Sequence, residues 1–226
     1  VAIRRAAALL ALALAGCPPY RVHPSFGEAY RAASAVAIVP PSVTIWAMTG
    51  GGGRSSREDW SGTVYQGLTE ALRAAFEKRG LEVAWVEDTP GTHALLEEVQ
   101  GRFTILLPGL VAASSDPQGF EFRQPAFEFS LGDVGLLLDT AGADLLVLAE
   151  VSGDVLTGEG VAVDLLLSFL GGSGPGDEAL EVRIALADRS GRLIFFGRSD
   201  ASASPLVPAN VLRAVDGALS AIPKHP

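Results

Sequence analysis

Met48-Thr49-Gly50-Gly51-Gly52-Gly53-Arg54-Ser55 is the stretch of this chain that comes nearest to a chemical motif. It follows an apolar run and precedes a helical pattern, the setting in which a glycine-rich loop cradles phosphates with backbone amides. Two positions fail the chemistry. Met48 stands where the first glycine is required, and Arg54 stands where a lysine would reach the terminal phosphates. Residues 145–150 copy only loosely the acidic strand that would hold magnesium. The stretch is therefore read as a surface loop, and no nucleotide or other cofactor is expected.

The remaining reactive residue types are scattered. His23 and His225 lie near the two ends, leaving His93 as the one histidine inside the expected domain, placed on a helix surface near Glu97. A zinc site needs several converging ligands, so no metal is expected. The pairs Glu58/Asp59, Glu87/Asp88, Glu97/Glu98 and Asp177/Glu178 have the residue types for acid–base work or for calcium. Helix-start and loop positions explain them more simply. No serine sits in a Gly-x-Ser-x-Gly elbow. These residues predict no enzyme.

The elements that must position any site follow from periodicity. Residues 35–39 form an apolar Val/Ile run, broken by Pro40-Pro41 and resumed over 43–48, which predicts a bent strand. After the glycine loop, Ser55 or Ser56 is placed to cap a helix with Glu58 and Asp59 in its first turn. Trp60, Val64, Leu68, Leu72 and Phe76 recur every fourth residue and make its core stripe, ending near Gly80. Leu81, Val83 and Trp85 alternate as a strand. Residues 92–100 and 103–113 read as helix despite Pro108 and Gly109, and Phe120, Phe122, Phe127 and Phe129 read as extended. A short helix over 133–141 and a buried strand over 144–151 follow. Leu180, Val182, Ile184 and Leu186 alternate with Glu181, Arg183, Ala185 and Ala187, and Asp188-Arg189-Ser190-Gly191 turns the chain into 193–197, which predicts a hairpin with one face covered. Pro208 opens a last helix with Val211, Leu212, Val215, Leu219 and Ile222 in its core stripe. The order predicts an α/β fold, a mixed β-sheet with helices packed on it, running β-α-β-α-β and then a β-hairpin and a C-terminal helix.

At the start of the chain, Arg4 and Arg5 precede a run of alanine and leucine over 6–15. Ten apolar residues are too few for the roughly twenty that span a bilayer, so the run reads as a signal-peptide core. Leu14-Ala15-Gly16-Cys17 then resembles the lipobox of bacterial lipoproteins. The resemblance implies a leader over 1–16, cleavage before Cys17, and lipid attached to that cysteine. Cys17 is the sole cysteine, so it has no disulfide partner within the chain. Several acyl chains give stable anchoring where a single chain is marginal. Residues 17–34, with Pro18, Pro19 and Pro24, are read as a tether, and 35–223 as a single domain. About 210 residues suffice to bury a core without disulfides or metals.

Losing Arg4 and Arg5, with no acid in the leader, moves the formal charge from −9 to −11. Lys78 and Lys224 are the two lysines and the arginines are dispersed. Nucleic-acid binding needs clustered cations, so it is excluded as an expectation. Low charge with 48% hydrophobic residues argues against general disorder.

Val36-Ala37-Ile38-Val39-Pro40, the long helix after it, Gly142-Ala143-Asp144-Leu145-Leu146-Val147 and Leu186-Ala187-Asp188-Arg189-Ser190-Gly191 together resemble the CsgG, LpoB and TolB amino-terminal group of envelope proteins. Ser130-Leu131-Gly132 with Gly142-Ala143-Asp144 is most similar to uncharacterised proteobacterial lipoproteins. The resemblance implies secretion-pore subunits, activators or docking modules rather than enzymes. The chain lacks the two long alternating segments of a pore-forming hairpin pair, which departs from the CsgG pattern.

Two surfaces are candidates for a partner. Trp46 and Met48 point opposite to Val43 and Ile45, and are either an adhesive edge or part of a strand buried on both faces. Residues 161–170, including Leu166 and Phe169, leave only Asp164 and Ser168 polar, and either complete the core or dock on lipid or protein. The resulting expectation is a non-catalytic, membrane-anchored lipoprotein on the periplasmic side, on the outer membrane, that binds another cell-envelope protein. An oligomeric subunit of a secretion or transport assembly is the alternative, and an envelope hydrolase the weaker one. Pro18 leaves the choice of inner or outer membrane open.

Overall fold

The computed structural model describes residues 20–49, 53–115, 127–158 and 178–225. Strands β1 (Tyr20–Val22), β2 (Ala35–Ile38), β3 (Ser42–Met48), β4 (Arg54–Ser56), β5 (Glu82–Trp85), β6 (Leu145–Leu156), β7 (Ala179–Ala187) and β8 (Leu193–Ala201) form one mixed sheet. Among the described residues five helices pack on it: α1 (Phe26–Ala32), α2 (Glu58–Glu77), α3 (His93–Ser115), α4 (Gly135–Ala141) and α5 (Pro208–Ala218). The order across the sheet is β1-β8-β7-β6-β2-β5, with β3 also on β6 and β4 on β3. This is the predicted mixed α/β architecture.

The long strand β6 organises the sheet. Its first half takes β2 in parallel, with Val36 opposite Leu145, and its second half takes β3 in parallel, with Ser42 opposite Glu150. Pro40-Pro41 therefore offsets a bent strand whose two parts share one neighbour. Proline lacks the N–H that a ladder needs, so the break falls there. On the other side β6, β7 and β8 run as an antiparallel meander. Between Leu186 and Ala187 the register shifts, so that Ile194 is the extra residue of a bulge.

Alternation along these strands feeds two cores. Val36, Ile38, Leu145, Val147, Val182 and Ile184 face α1, α2 and α5. Ala37, Val39, Leu146, Leu148, Ala185 and Phe196 face α3 and α4. Strands covered on both sides read as continuous apolar runs, which is why residues 35–39 and 144–151 stand out in the sequence. Helix α3 passes through Pro108 without ending. An interior proline costs about 3 kcal/mol in a bare helix, and burial of Leu107 and Leu110 on either side offsets it.

Three expectations need correction. Residues 20–34 are not tether: β1 pairs antiparallel with β8, and α1 buries Phe26 and Tyr30, the latter 1% exposed. Phe26 and Tyr30, one turn apart with ring centroids 5.2 Å from each other, are the whole apolar stripe of a seven-residue helix. A single pair is too short to display a period. Second, Ser55 and Ser56 do not cap α2; they lie in β4, and Arg57 is the N-cap residue without a side-chain cap bond. β3 and β4 pair antiparallel, and pairing of Ala47 with Ser55 draws the serines into the ladder. Third, Leu212 is 45% exposed. It lies about 100° around the helix from Val211, whose side chain takes the core position.

The Gly-Ala-Asp motif has a structural use. Gly142 ends α4 in the left-handed conformation, at φ 66°. Asp144 then accepts hydrogen bonds from the Ser34 amide (2.7 Å), the Ser34 hydroxyl (2.9 Å) and the Ala35 amide (3.2 Å). Those bonds clip the start of β2 to the start of β6, and the bond from the Ser34 amide is the first cause holding the Asp144 carboxyl below its ordinary range. Because the folded value lies below the unfolded one, this stabilisation is present above the ordinary carboxylate range and fades as the pH falls through the folded value. Asp144 is exposed, so its contribution is discounted for solvent screening. Asp144→Asn should cost about 1 kcal/mol at neutral pH, and urea melts should show wild type and variant converging in acid.

Candidate functional site

The second core ends on the sheet at the row Leu148, Ala185 and Phe196. One row further along the same face, the residues change character. Ser42, Glu150, Arg183 and Arg198 stand side by side, followed by Thr44, Ser152, Glu181 and Asp200, and then by Ser56, Trp46 and Asp154. Among the described residues this end of the face is polar and mostly half-buried, with Ser42, Ser56 and Asp200 exposed. The cause is local: in β3, β6 and β7 the positions facing the first core stay apolar or glycine while the alternate ones switch to polar and charged types.

Arg183 is the centre of the lattice. Its Nη1 donates to Glu150 Oε1 at 2.7 Å and its Nε to Glu181 Oε1 at 2.7 Å, while its Nη2 also contacts Glu181. Next to it, Arg198 reaches Asp200 at 3.3 Å, and its Nε is buried without a hydrogen-bond partner among the described residues. At the outer side Arg54 lies 2.7 Å from Asp154 and stacks over the Trp46 ring at 4.8 Å. Met48 pairs with Arg54 on one side and Leu156 on the other. Desolvation by burial raises the Glu150 carboxyl above its ordinary range, and the neighbouring Arg183 cation opposes that rise.

A cleft of about 300 Å³ opens beside this lattice, between α3 and the sheet. Val39, Ser42, Gln100, Phe103, Leu148 and Glu150 line it. Gln100 crosses its rim and donates to the Pro40 carbonyl at 2.9 Å. The cleft lies at the carboxyl end of β2, the end where open α/β sheets place their crevices. It presents one carboxylate that is already held by arginine.

Removing the central cation should be costly. Arg183→Met leaves Glu150 and Glu181 half-buried without their counter-ion, so stability at neutral pH should fall by about 2 kcal/mol. The Glu150 midpoint should rise further, because the lowering influence of Arg183 is gone. Carbon-detected titration of the glutamate carboxyls, alongside denaturant melts, checks both expectations.

The structure brings Trp46 and Met48 onto this face, each half-buried rather than enclosed, with Ile45 on the opposite, fully buried side. Cys17, Leu166 and Phe169, the 161–170 segment, Asp177 and Gly50 to Gly52 lie outside the described residues. The ends of the glycine loop are joined by the Thr49 amide donating to the Gly53 carbonyl at 3.0 Å, as in a hairpin. His93 sits on the helix surface, with Nδ1 2.9 Å from Asp88 and Nε2 3.6 Å from Glu97. The hydrogen bond that the His93 ring donates to the Asp88 carboxylate is the first cause raising the His93 pKa. His23, by contrast, is buried, and its Nδ1 lies 2.7 Å from the Ser25 hydroxyl.

Sequence reading missed the lattice as a unit. The signal for half of it was present, since Glu181 and Arg183 alternate with the core residues of β7. Glu150 ends the apolar run, and Asp154 belongs to an extension of β6 beyond the predicted 144–151. No local pattern shows that Arg198 and Arg54 come to the same face.

No protein-family profile matches this chain, and no curated protein or solved structure shows significant similarity to it.

Proposed function

We propose that this protein is a lipoprotein, anchored through Cys17, whose folded body recognises another protein of the cell envelope without doing chemistry on it. The observation that carries the reading is the polar, half-buried end of the sheet's second face, where Trp46, Met48 and the arginines 54, 183 and 198 lie together beside the cleft. Tryptophan, methionine and arginine are enriched in protein interfaces, and tryptophan and arginine at their energetic centres. Ion pairing among these groups holds the side chains in fixed positions, which lowers the entropy lost on binding. The Leu14-Ala15-Gly16-Cys17 motif supports the anchor. The formal charge of −11 left after loss of the leader, and the pairing of Arg54, Arg183 and Arg198 with Asp154, Glu150, Glu181 and Asp200, make nucleic acid a poor partner. The partner belongs to the periplasmic side, with the outer membrane as the proposed site.

Photo-crosslinking in intact cells tests the recognition face. A crosslinking amino acid at Met48 or Asp200 should capture one recurrent partner, while the same group at Ile105, 79% exposed on α3, should not. Arg198→Glu should abolish the capture with the circular dichroism spectrum unchanged. Equal capture from Ile105, or reproducible hydrolytic turnover by the purified domain, would sink the proposal. Lipid attachment is tested apart from this, by labelled fatty-acid incorporation that Cys17→Ser should eliminate.

A further inference from the structure

Resting on that anchored-lipoprotein reading, we infer that the β1 edge of the sheet faces the phospholipid bilayer directly, with no free tether between lipid and fold. β1 begins at Tyr20, three residues after Cys17. Three residues span at most about 11 Å even when fully extended. Tyr20 is not a loose end that could add reach: it pairs with Gly197 of β8 and packs against the first core. Arg21 donates from Nε to the Ala113 carbonyl of α3 at 2.8 Å, which fixes the middle of the strand as well. The fold is thus held close to the lipid by a connection no longer than about the width of one helix.

The edge itself suits that position. β1 is the terminal strand of the sheet order, so among the described residues its outer backbone groups have no neighbouring strand. Unprotected edges invite strand addition, and proteins cover or block them. A headgroup layer supplies hydrogen-bond partners and prevents approach of another chain. Val22, 39% exposed on this edge, adds apolar surface. The opposite edge, β5, is five strand spacings away in the sheet order, or about 24 Å. The orientation therefore turns the β5 edge away from the membrane.

The test uses the full-length lipoprotein reconstituted into vesicles of phosphatidylethanolamine and phosphatidylglycerol containing headgroup-quencher lipids. Val22→Cys and Glu82→Cys each receive a fluorophore, the first on β1 and the second on the exposed start of β5. Intact mass establishes whether Cys17 carries lipid. With Cys17 modified, the label at position 22 should be quenched roughly threefold more than the label at position 82, given the separation of the two edges. A Gly/Ser insertion of about fifteen residues before Tyr20, adding roughly 20 Å of reach, should erase the difference. Equal quenching at the two labels with Cys17 modified overturns the orientation while leaving the lipoprotein reading intact. An unmodified Cys17 overturns both.

Discussion

Gly191→Ala should cost more than about 3 kcal/mol or prevent folding altogether. Gly191 closes the hairpin between β7 and β8 at φ 75°, a conformation that side chains disfavour. Sterics add the larger share. A Cβ at this position would fall within the Gly132 carbonyl group, which is backbone and has no rotamer by which to escape. Gly132 is itself fixed at φ 80°, with the Arg102 guanidinium packed over it and bonded to the Leu131 carbonyl at 3.0 Å. The Leu131 amide donates to the Gly191 carbonyl at 2.8 Å, completing the lock. Gly142→Ala provides the comparison: it has φ 66° but open space around its missing Cβ, so about 1 kcal/mol is expected. Urea denaturation of both variants, with the transition slopes compared, checks the difference. Similar losses would mean that backbone conformation alone sets the cost and that the Gly191–Gly132 contact is unimportant.

Tyr30→Ala is expected to cost about 3–5 kcal/mol, the range for deleting a large buried aromatic side chain. The ring is 1% exposed, stacks on Phe26 and meets the His225 ring edge-on at 5.7 Å. Its hydroxyl donates to the Pro223 carbonyl at 3.0 Å, so one side chain joins the first helix to the end of the chain. Tyr30→Phe removes only that hydrogen bond and should cost about 1 kcal/mol. A chain starting at Ala35 lacks β1, Phe26 and Tyr30 together. It should fail to give a cooperative thermal transition, whereas a chain starting at Tyr20 should melt as a single unit. If the Ala35 form folds with unchanged stability, the N-terminal elements are accessory to the fold.

Both predictions concern features that are hard to see in a linear sequence, and for different reasons. Gly191 is visible as a turn residue in Asp188-Arg189-Ser190-Gly191, where Asp188 Oδ1 accepts from the Ser190 and Arg192 amides. Its closeness to Gly132 joins motifs about sixty residues apart, and only packing reveals it. The Ser-Leu-Gly, Gly-Ala-Asp and Asp-Arg-Ser-Gly segments are thereby resolved as backbone devices: a lock, a clip and a hairpin turn. Tyr30 lies among proline and charged residues that make its segment look like a linker. Its side chain meets Pro223 and His225, nearly two hundred residues along the chain.

Local physics in the sequence was enough to determine the helices with long apolar stripes, the alternating hairpin strands, the break at Pro40-Pro41 and the mixed α/β order, because each is written in a period that neighbouring residues carry. It also determined that Trp46 and Met48 oppose Ile45, since successive strand residues point to opposite faces. Tertiary structure alone decided that β2 and β3 share β6, that residues 20–34 belong to the fold, and that Arg183, Arg198, Glu150 and Trp46 occupy one face. Those outcomes depend on strand order and register, which are set by which distant surfaces bury each other and leave no periodic mark along the chain.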